Sequence, residues 1–204
     1  MFTNRIVKYT LTIQKKKNSS YLEKFCPLGM YILPDENDLK IWNGFLILKD
    51  GIYRNSIIKF KIKIPNDYPA NIPNVTFISK VYHPIVNFNT GELDIKYLFN
   101  SWEAGKNFIL QILYKIKDIF LNPDYFQIND SFNIEAGNLF KNDYIEFENK
   151  VIENSKENFN IFLNYKNKDN FNQDEFIKDL KKILKKDIKI NEKKEMINNF
   201  ILNK

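Results

Sequence analysis

The chain has a single histidine, His83, and a single cysteine, Cys26, the two residue types best suited to nucleophilic chemistry. A thiolate attacks carbonyls when a neighbouring base or cation lowers its pKa. No histidine lies near Cys26 in sequence, and a lone cysteine is most often a small packed hydrophobe. Cys26 is read that way here. Glu92 and Asp94 are the nearest approach to a pair of acids. At i and i+2 in a loop, with no second titratable cluster converging on them, they read as solvated carboxylates rather than a general acid and base. One histidine without cysteine or acidic partners at ligand spacing makes no metal site. No metal and no cofactor is expected.

The elements that must position these residues can be read from periodicity. Residues 1–14 carry Ile6, Tyr9 and Ile13 at near-helical spacing and suggest a short amphipathic helix. Residues 15–25, KKKNSSYLEKF, read as loop. Four strands are expected next: 30–33, 39–49, 56–64 and 74–79. The third alternates almost strictly, with Ile58, Phe60, Ile62 and Ile64 on one face and Lys59, Lys61 and Lys63 on the other. Short turns such as Asp50-Gly51 join consecutive strands into an antiparallel meander. The segment 64–73, IPNDYPANIP, has three prolines and excludes helix and central strand. Residues 82–107 show little periodicity and read as a long loop. Residues 107–123 then place Phe108, Ile112, Ile116 and Phe120 on one helical face before Pro123. Residues 134–165 and 172–203 show apolar positions at helical spacing, including Phe176, Leu180, Ile183 and Leu184.

The formal charge is +6, with Lys and Arg scattered among Asp and Glu. Without a run of like charges this is a solvated surface, not a nucleic-acid interface. A lone cysteine fits a reducing compartment. The first residues, MFTNRIVKYTLTIQKKK, lack the apolar stretch of a signal peptide. No window reaches the ~18 apolar residues of a membrane span. A cytoplasmic protein is expected.

Helix, four-strand meander, long loop and further helices, together with IPNDYPANIPNVTFISKVYHP, resemble the ubiquitin-conjugating (UBC) domain, an α+β fold. Tyr68, Pro69 and Pro73 match its Tyr-Pro-x-x-x-Pro segment. His83-Pro84, Gly91 and Trp102 follow in the family's register. The resemblance spans about residues 28–150. It implies a UBC-like domain over 1–165 and a helical extension over 166–204, packed on that domain or on a partner. It also places the family's catalytic cysteine at Asp94 and its tripeptide asparagine at Ile85. A thiolate is both nucleophile and leaving group; Asp94 is neither in the needed sense. Ile85 has no donor for an oxyanion. The site His83, Pro84, Ile85, Asp94 therefore reads as degenerate, and the chain as a non-catalytic variant.

The run HPIVNFNTGELDIKYLFNSW (83–102) is similar to the Fused Toes / AKT-interacting protein family, with Gly91-Glu92-Leu93-Asp94-Ile95-Lys96 and Phe99 matching position by position. That resemblance implies an adaptor. Its partners would be a Hook-type coiled-coil protein and its scaffold, in an assembly that links vesicles to microtubule motors. The alternative is a ubiquitin-binding cofactor of an active conjugating enzyme. Candidate partner-binding residues are Phe88, Tyr97, Leu98 and Phe99 in the loop, and Leu180, Ile183 and Leu184 near the C-terminus.

Overall fold

The computed structural model describes residues 26–35, 37–99, 101–122, 125 and 131–164. The chain divides into two compact units, Met1–Phe159 and Asn160–Lys204. Only residues 160–164 of the second are described, as the end of a helix. The expected helix over 1–14 and the stretch 172–203 lie outside the described residues.

Four strands follow one another in sequence and in space: β1 Met30–Pro34, β2 Ile41–Ile47, β3 Ile57–Lys63 and β4 Asn74–Phe77. All neighbours are antiparallel, in the order β1-β2-β3-β4. The pleat sends alternate residues to opposite faces. Cross-strand rows such as Ile32, Gly44, Phe60 and Phe77 therefore share the core side. Ile58, Phe60, Ile62 and Ile64 are buried, and Lys61 and Lys63 lie on the other face, as the alternation predicts. The alternation fails at its start, where Ile57 on the lysine side is buried too.

Gly44 is required by its neighbour across the sheet. A Cβ there would come within 2.3 Å of the Phe60 ring, which lies over the strand. Phe60 meets Phe77 edge-on, and Phe77 in turn meets Phe120. This aromatic ladder joins the sheet to the first long helix. Edge-to-face contacts of this kind add about 0.5–1.5 kcal/mol each beyond burial.

The helices are α1 Ile95–Leu98, α2 Ile109–Asp118, α3 Ile134–Asn142 and α4 Tyr144–Asn164. The buried face of α2 is Ile109, Ile112, Leu113 and Ile116. The helix is shorter than the expected 107–123. Phe108 is its extended N-cap, half-buried rather than one of the core positions, and Gln111 reaches back to accept the Phe108 N–H at 2.9 Å. Ile119 and Phe120 belong to the turn that follows. The helical stretch expected over 134–165 is two helices, interrupted at Asp143, whose Oδ1 accepts the Glu146 N–H at 3.0 Å. The interruption comes from Asn142-Asp143, which favours caps over helix interior.

The buried stripe of α4 changes character along its length. Phe147 and Val151 are apolar; Asn154, Ser155 and Asn158, on the same face, are polar and buried. Each finds a partner: Ser155 with the Ser56 hydroxyl at 2.8 Å, Asn154 Oδ1 with the Tyr82 N–H at 3.2 Å, and Asn158 Nδ2 with the Lys80 carbonyl at 2.6 Å. Among the described residues no helix is long and apolar enough to cross a membrane.

Phe60→Ala is expected to lower unfolding free energy by about 3–5 kcal/mol, from lost burial and the cavity facing Gly44. A loss below about 1 kcal/mol in chemical denaturation would show that the ring is not central to the core.

Candidate functional site

Burial in an apolar core costs an imidazole its charge, and His83 shows the consequence. The ring is fully buried, stacked on Tyr53 at 5.9 Å and edge-on to Phe120 at 5.7 Å. Desolvation lowers its pKa from 6.5 to about 4, opposed by the hydrogen bond to a backbone carbonyl. Nε2 donates to the Ile119 carbonyl at 2.8 Å, and Nδ1 accepts the Ile85 N–H at 3.2 Å. The two contacts assign the neutral tautomer with hydrogen on Nε2. The Ile119 carbonyl lies just past α2, where helical partners run out. His83 thus ties the loop to the end of that helix.

The approach to His83 is held from two sides. Tyr53 donates its hydroxyl to the Tyr82 carbonyl at 2.6 Å. Burial pushes the Tyr53 phenol pKa well up, so it stays a donor. Asn154 and Asn158 of α4 hold residues 80–82 as described above. Beyond His83, the Pro84 carbonyl accepts the Asn133 N–H at 2.8 Å, and Asn133 Oδ1 caps α3 through the Ala136 N–H at 3.1 Å.

Residues 86–93 form a tight hairpin. Val86 bridges Leu93, and Asn87 donates its N–H to Glu92 at 2.8 Å. Asn87 Oδ1 accepts the N–H groups of Asn89 and Thr90, both at 3.0 Å, in an Asx turn. The returning arm lies on the free edge of β4: Phe77 donates to Gly91 at 2.7 Å and Leu93 to Val75 at 3.0 Å. Gly91 has φ +73°, and a Cβ there would stand 2.0 Å from the Phe77 carbonyl oxygen. Only glycine fits both conditions. Asp94 then donates its N–H to the Ile85 carbonyl at 2.9 Å and caps α1 from a half-buried position, with no side-chain hydrogen bond to that helix.

The segment expected to be irregular at 64–73 closes the opposite wall. Tyr68–Pro69 is a cis peptide. Trp102 Nε1 donates to the Pro69 carbonyl at 2.8 Å, and the Tyr68 hydroxyl accepts the Ile109 N–H at 3.2 Å, one of the orphan donors at the start of α2.

The sequence pattern of ubiquitin-conjugating enzymes matches residues 7–155. The chain belongs to the ubiquitin-conjugating enzyme family. Its fold is also similar to the E2 domain of a Toxoplasma gondii ubiquitin-conjugating enzyme, with a TM-score of 0.59 at 21% identity over 72% of this chain and 97% of that one. Among curated proteins it is 34% identical over 126 residues to the Protein AKTIP homolog of Nematostella vectensis, covering 61% of this chain and 41% of that protein. It is 32% identical over 129 residues to the AKT-interacting protein of Rattus norvegicus, covering 63% and 43%. The chain spans less than half the length of these relatives.

Within this member of the ubiquitin-conjugating family, the side chains of His83, Ile85 and Asp94 are one neutral imidazole, one apolar group and one carboxyl. His83 cannot serve as a general base, because its lone pair at Nδ1 already accepts a backbone N–H and its Nε2 proton is given to a carbonyl. Ile85 is buried and offers only its backbone, which is engaged at both ends. Cys26 is half-buried against the core before β1. Among the described residues no group of His, Cys, Asp and Glu could hold a metal ion.

The four loop residues expected to meet a partner separate by exposure. Phe88 is 37% exposed and Tyr97 43%, whereas Leu98 and Phe99 are buried. Leu98 packs into the core from the one-turn helix α1. Phe99 lies edge-on to Trp102 at 5.4 Å, with Lys115 Nζ over its ring at 5.3 Å. Both therefore leave the candidate surface. Leu180, Ile183 and Leu184 lie outside the described residues. Helix α1 itself went unforeseen, since four residues carry no periodicity. Asn133 could have been found as a cap before an apolar run. Tyr53, Asn154 and Asn158 gave no signal, because their partners are backbone atoms distant in sequence.

With pKa values of 6.5 unfolded and about 4 folded, His83 makes the unfolded chain bind more protons between those limits. Stability is fully present above pH 6.5 and falls as pH drops toward 4, by about 3 kcal/mol in total. Because this is the only histidine, the slope between pH 6.5 and 5 should vanish in His83→Gln, read by urea unfolding at a series of pH values. An unchanged slope would contradict the buried neutral assignment. Gly91→Ala should cost about 1–3 kcal/mol from backbone strain, and more from the clash of its Cβ with the Phe77 carbonyl; a neutral result would contradict the hairpin geometry.

Proposed function

We propose that this chain is a non-catalytic, ubiquitin-conjugating-like adaptor that binds protein partners. The observation that carries this reading is the chemistry at Asp94 and Ile85. In the family register Asp94 stands where the catalytic cysteine belongs, and Ile85 where the tripeptide asparagine belongs. A carboxylate forms only an unstable mixed anhydride with an acyl group, and a buried isoleucine stabilises no oxyanion. His83 is committed to structure and cannot compensate.

Likeness to proteins whose names state an AKT interaction supports a partner-binding role. The resemblance in 83–102 extends the proposal to a Hook-type coiled-coil partner with its scaffold. In that setting the protein works from the cytoplasm and reaches vesicles through its partners. Phe88 and Tyr97 would meet a partner at the loop. The organisation that goes with this reading is a UBC-like unit over 1–165, with 166–204 as a helical extension that carries Leu180, Ile183 and Leu184.

Three measurements test it. The full chain incubated with ubiquitin, activating enzyme and ATP should give no adduct that dithiothreitol removes; such an adduct would overturn the non-catalytic reading. Affinity purification with the full chain as bait should recover a long coiled-coil protein, less of it with Phe88→Ser and Tyr97→Ser combined. Saturable ubiquitin binding by NMR with stimulation of an active conjugating enzyme, and no coiled-coil protein recovered, would replace the adaptor with a conjugation cofactor.

A further inference from the structure

The buried stripe of α4 is held in two different ways. In its first half Phe147 and Val151 are fully buried and apolar, and the Phe147 ring meets Tyr82 at 5.9 Å and Phe140 at 5.3 Å. Lys150, in the same half, pairs with Glu135 of α3. In the second half the buried positions are Asn154, Ser155 and Asn158, flanked by the half-buried Ile152 and Phe159. Hydrogen bonds between neutral groups carry this half across to the rest of the domain. They join Ser155 to the Ser56 hydroxyl, Asn154 to the Tyr82 N–H and Asn158 to the Lys80 carbonyl. The ion pairs among the described residues, Lys106 with Glu103 and Lys150 with Glu135, lie outside residues 154–159.

The two halves respond differently to water. Apolar surface that opens to solvent gains nothing in return. A neutral hydroxyl or amide regains its hydrogen bond from water, so its net hold is the small difference between two bonds. A connected polar network can be rigid, but these contacts end separately on Ser56, Lys80 and Tyr82. We propose that residues 154–159 of α4 form a polar latch, which opens while Phe147 and Val151 stay in the core and so releases residues 80–82, the approach to His83. Asn154 and Asn158 stand one helical turn apart on one face. A single outward movement of that turn therefore removes the acceptor from the Tyr82 N–H and the donor from the Lys80 carbonyl together. Opening leaves the other holds in place. His83 keeps its own bonds to Ile119 and Ile85, Tyr53 keeps the Tyr82 carbonyl, and the Tyr82 ring stays against Phe147. The latch thus sets the freedom of the chain entering the loop without unmaking the loop.

Amide hydrogen exchange on the isotopically labelled full chain tests this. The Tyr82 N–H is held by Asn154, whereas the Leu93 N–H is held by the Val75 carbonyl in the same loop. Protection at Tyr82 is expected to be at least about a hundredfold lower than at Leu93, and lower by a similar factor than at Val151 in the first half of the helix. Equal protection at Tyr82 and Leu93 means that no latch opens, and equal protection at Tyr82 and Val151 means that the whole helix opens; either overturns the proposal. A cross-link supplies the second arm. The Ser56 and Ser155 hydroxyls are 2.8 Å apart, so the Ser56→Cys, Ser155→Cys pair in a Cys26→Ser background places two thiols across the latch. Once oxidised, with the bridge verified by mass, this variant should protect Tyr82 as strongly as Leu93, and dithiothreitol should restore fast exchange. Fast exchange at Tyr82 in the bridged chain overturns the proposal, because the exposure then has another cause. If the variant does not bridge or does not fold, the comparison within the unmodified chain decides alone.

Discussion

A single neutral imidazole joins three parts of this domain that sequence keeps apart. His83 gives its Nε2 proton to the carbonyl just past α2 and takes the N–H of Ile85 on Nδ1, while its ring lies between Tyr53 and Phe120. A buried polar ring left without either partner would cost about 1–3 kcal/mol per unmade bond. The loop is therefore fixed in the one position that satisfies both. From there the chain has little freedom: Pro84 is held by Asn133, and Ile85 and Asp94 are paired through the backbone.

The same contacts set the shape of the loop independently of the side chains at positions 85 and 94. The elements that set the loop are backbone hydrogen bonds, the Gly91 approach to Phe77, the Tyr53 hydroxyl and the amides of Asn154 and Asn158. None of them needs a thiol at position 94 or an amide at position 85. With Ile85 buried, the loop gains apolar contact in place of a polar side chain. What results is a loop held by backbone hydrogen bonds in the ubiquitin-conjugating fold.

Exposure divides that surface unevenly. On the loop, Phe88 and Tyr97 stay partly open but lean on neighbours: Phe88 on Tyr82 and Lys80, and Tyr97 on Tyr125. Such aromatics are presented rigidly, which lowers the ordering cost of binding. On the outer sheet face the exposed groups include Lys63, Leu33 and Ile78.

Sequence alone determined the meander, the core alternation of β3, the turn at Asp50-Gly51 and the family register of His83, Gly91 and Trp102. These rest on period-two patterning and on residue types with narrow backbone preferences, both of which are local. It also determined that position 94 has no sulfur. Tertiary structure decided what patterning cannot carry. It put Leu98 and Phe99 inside rather than on the surface, made Phe108 a cap, and broke the helix at Asp143. It also selected Asn154, Ser155 and Asn158 as buried polar anchors. The cap and the break are local competitions that periodicity does not resolve, whereas the buried polar residues are stable inside only because a partner far away in sequence, backbone for Asn154 and Asn158 and the Ser56 hydroxyl for Ser155, completes the hydrogen bond.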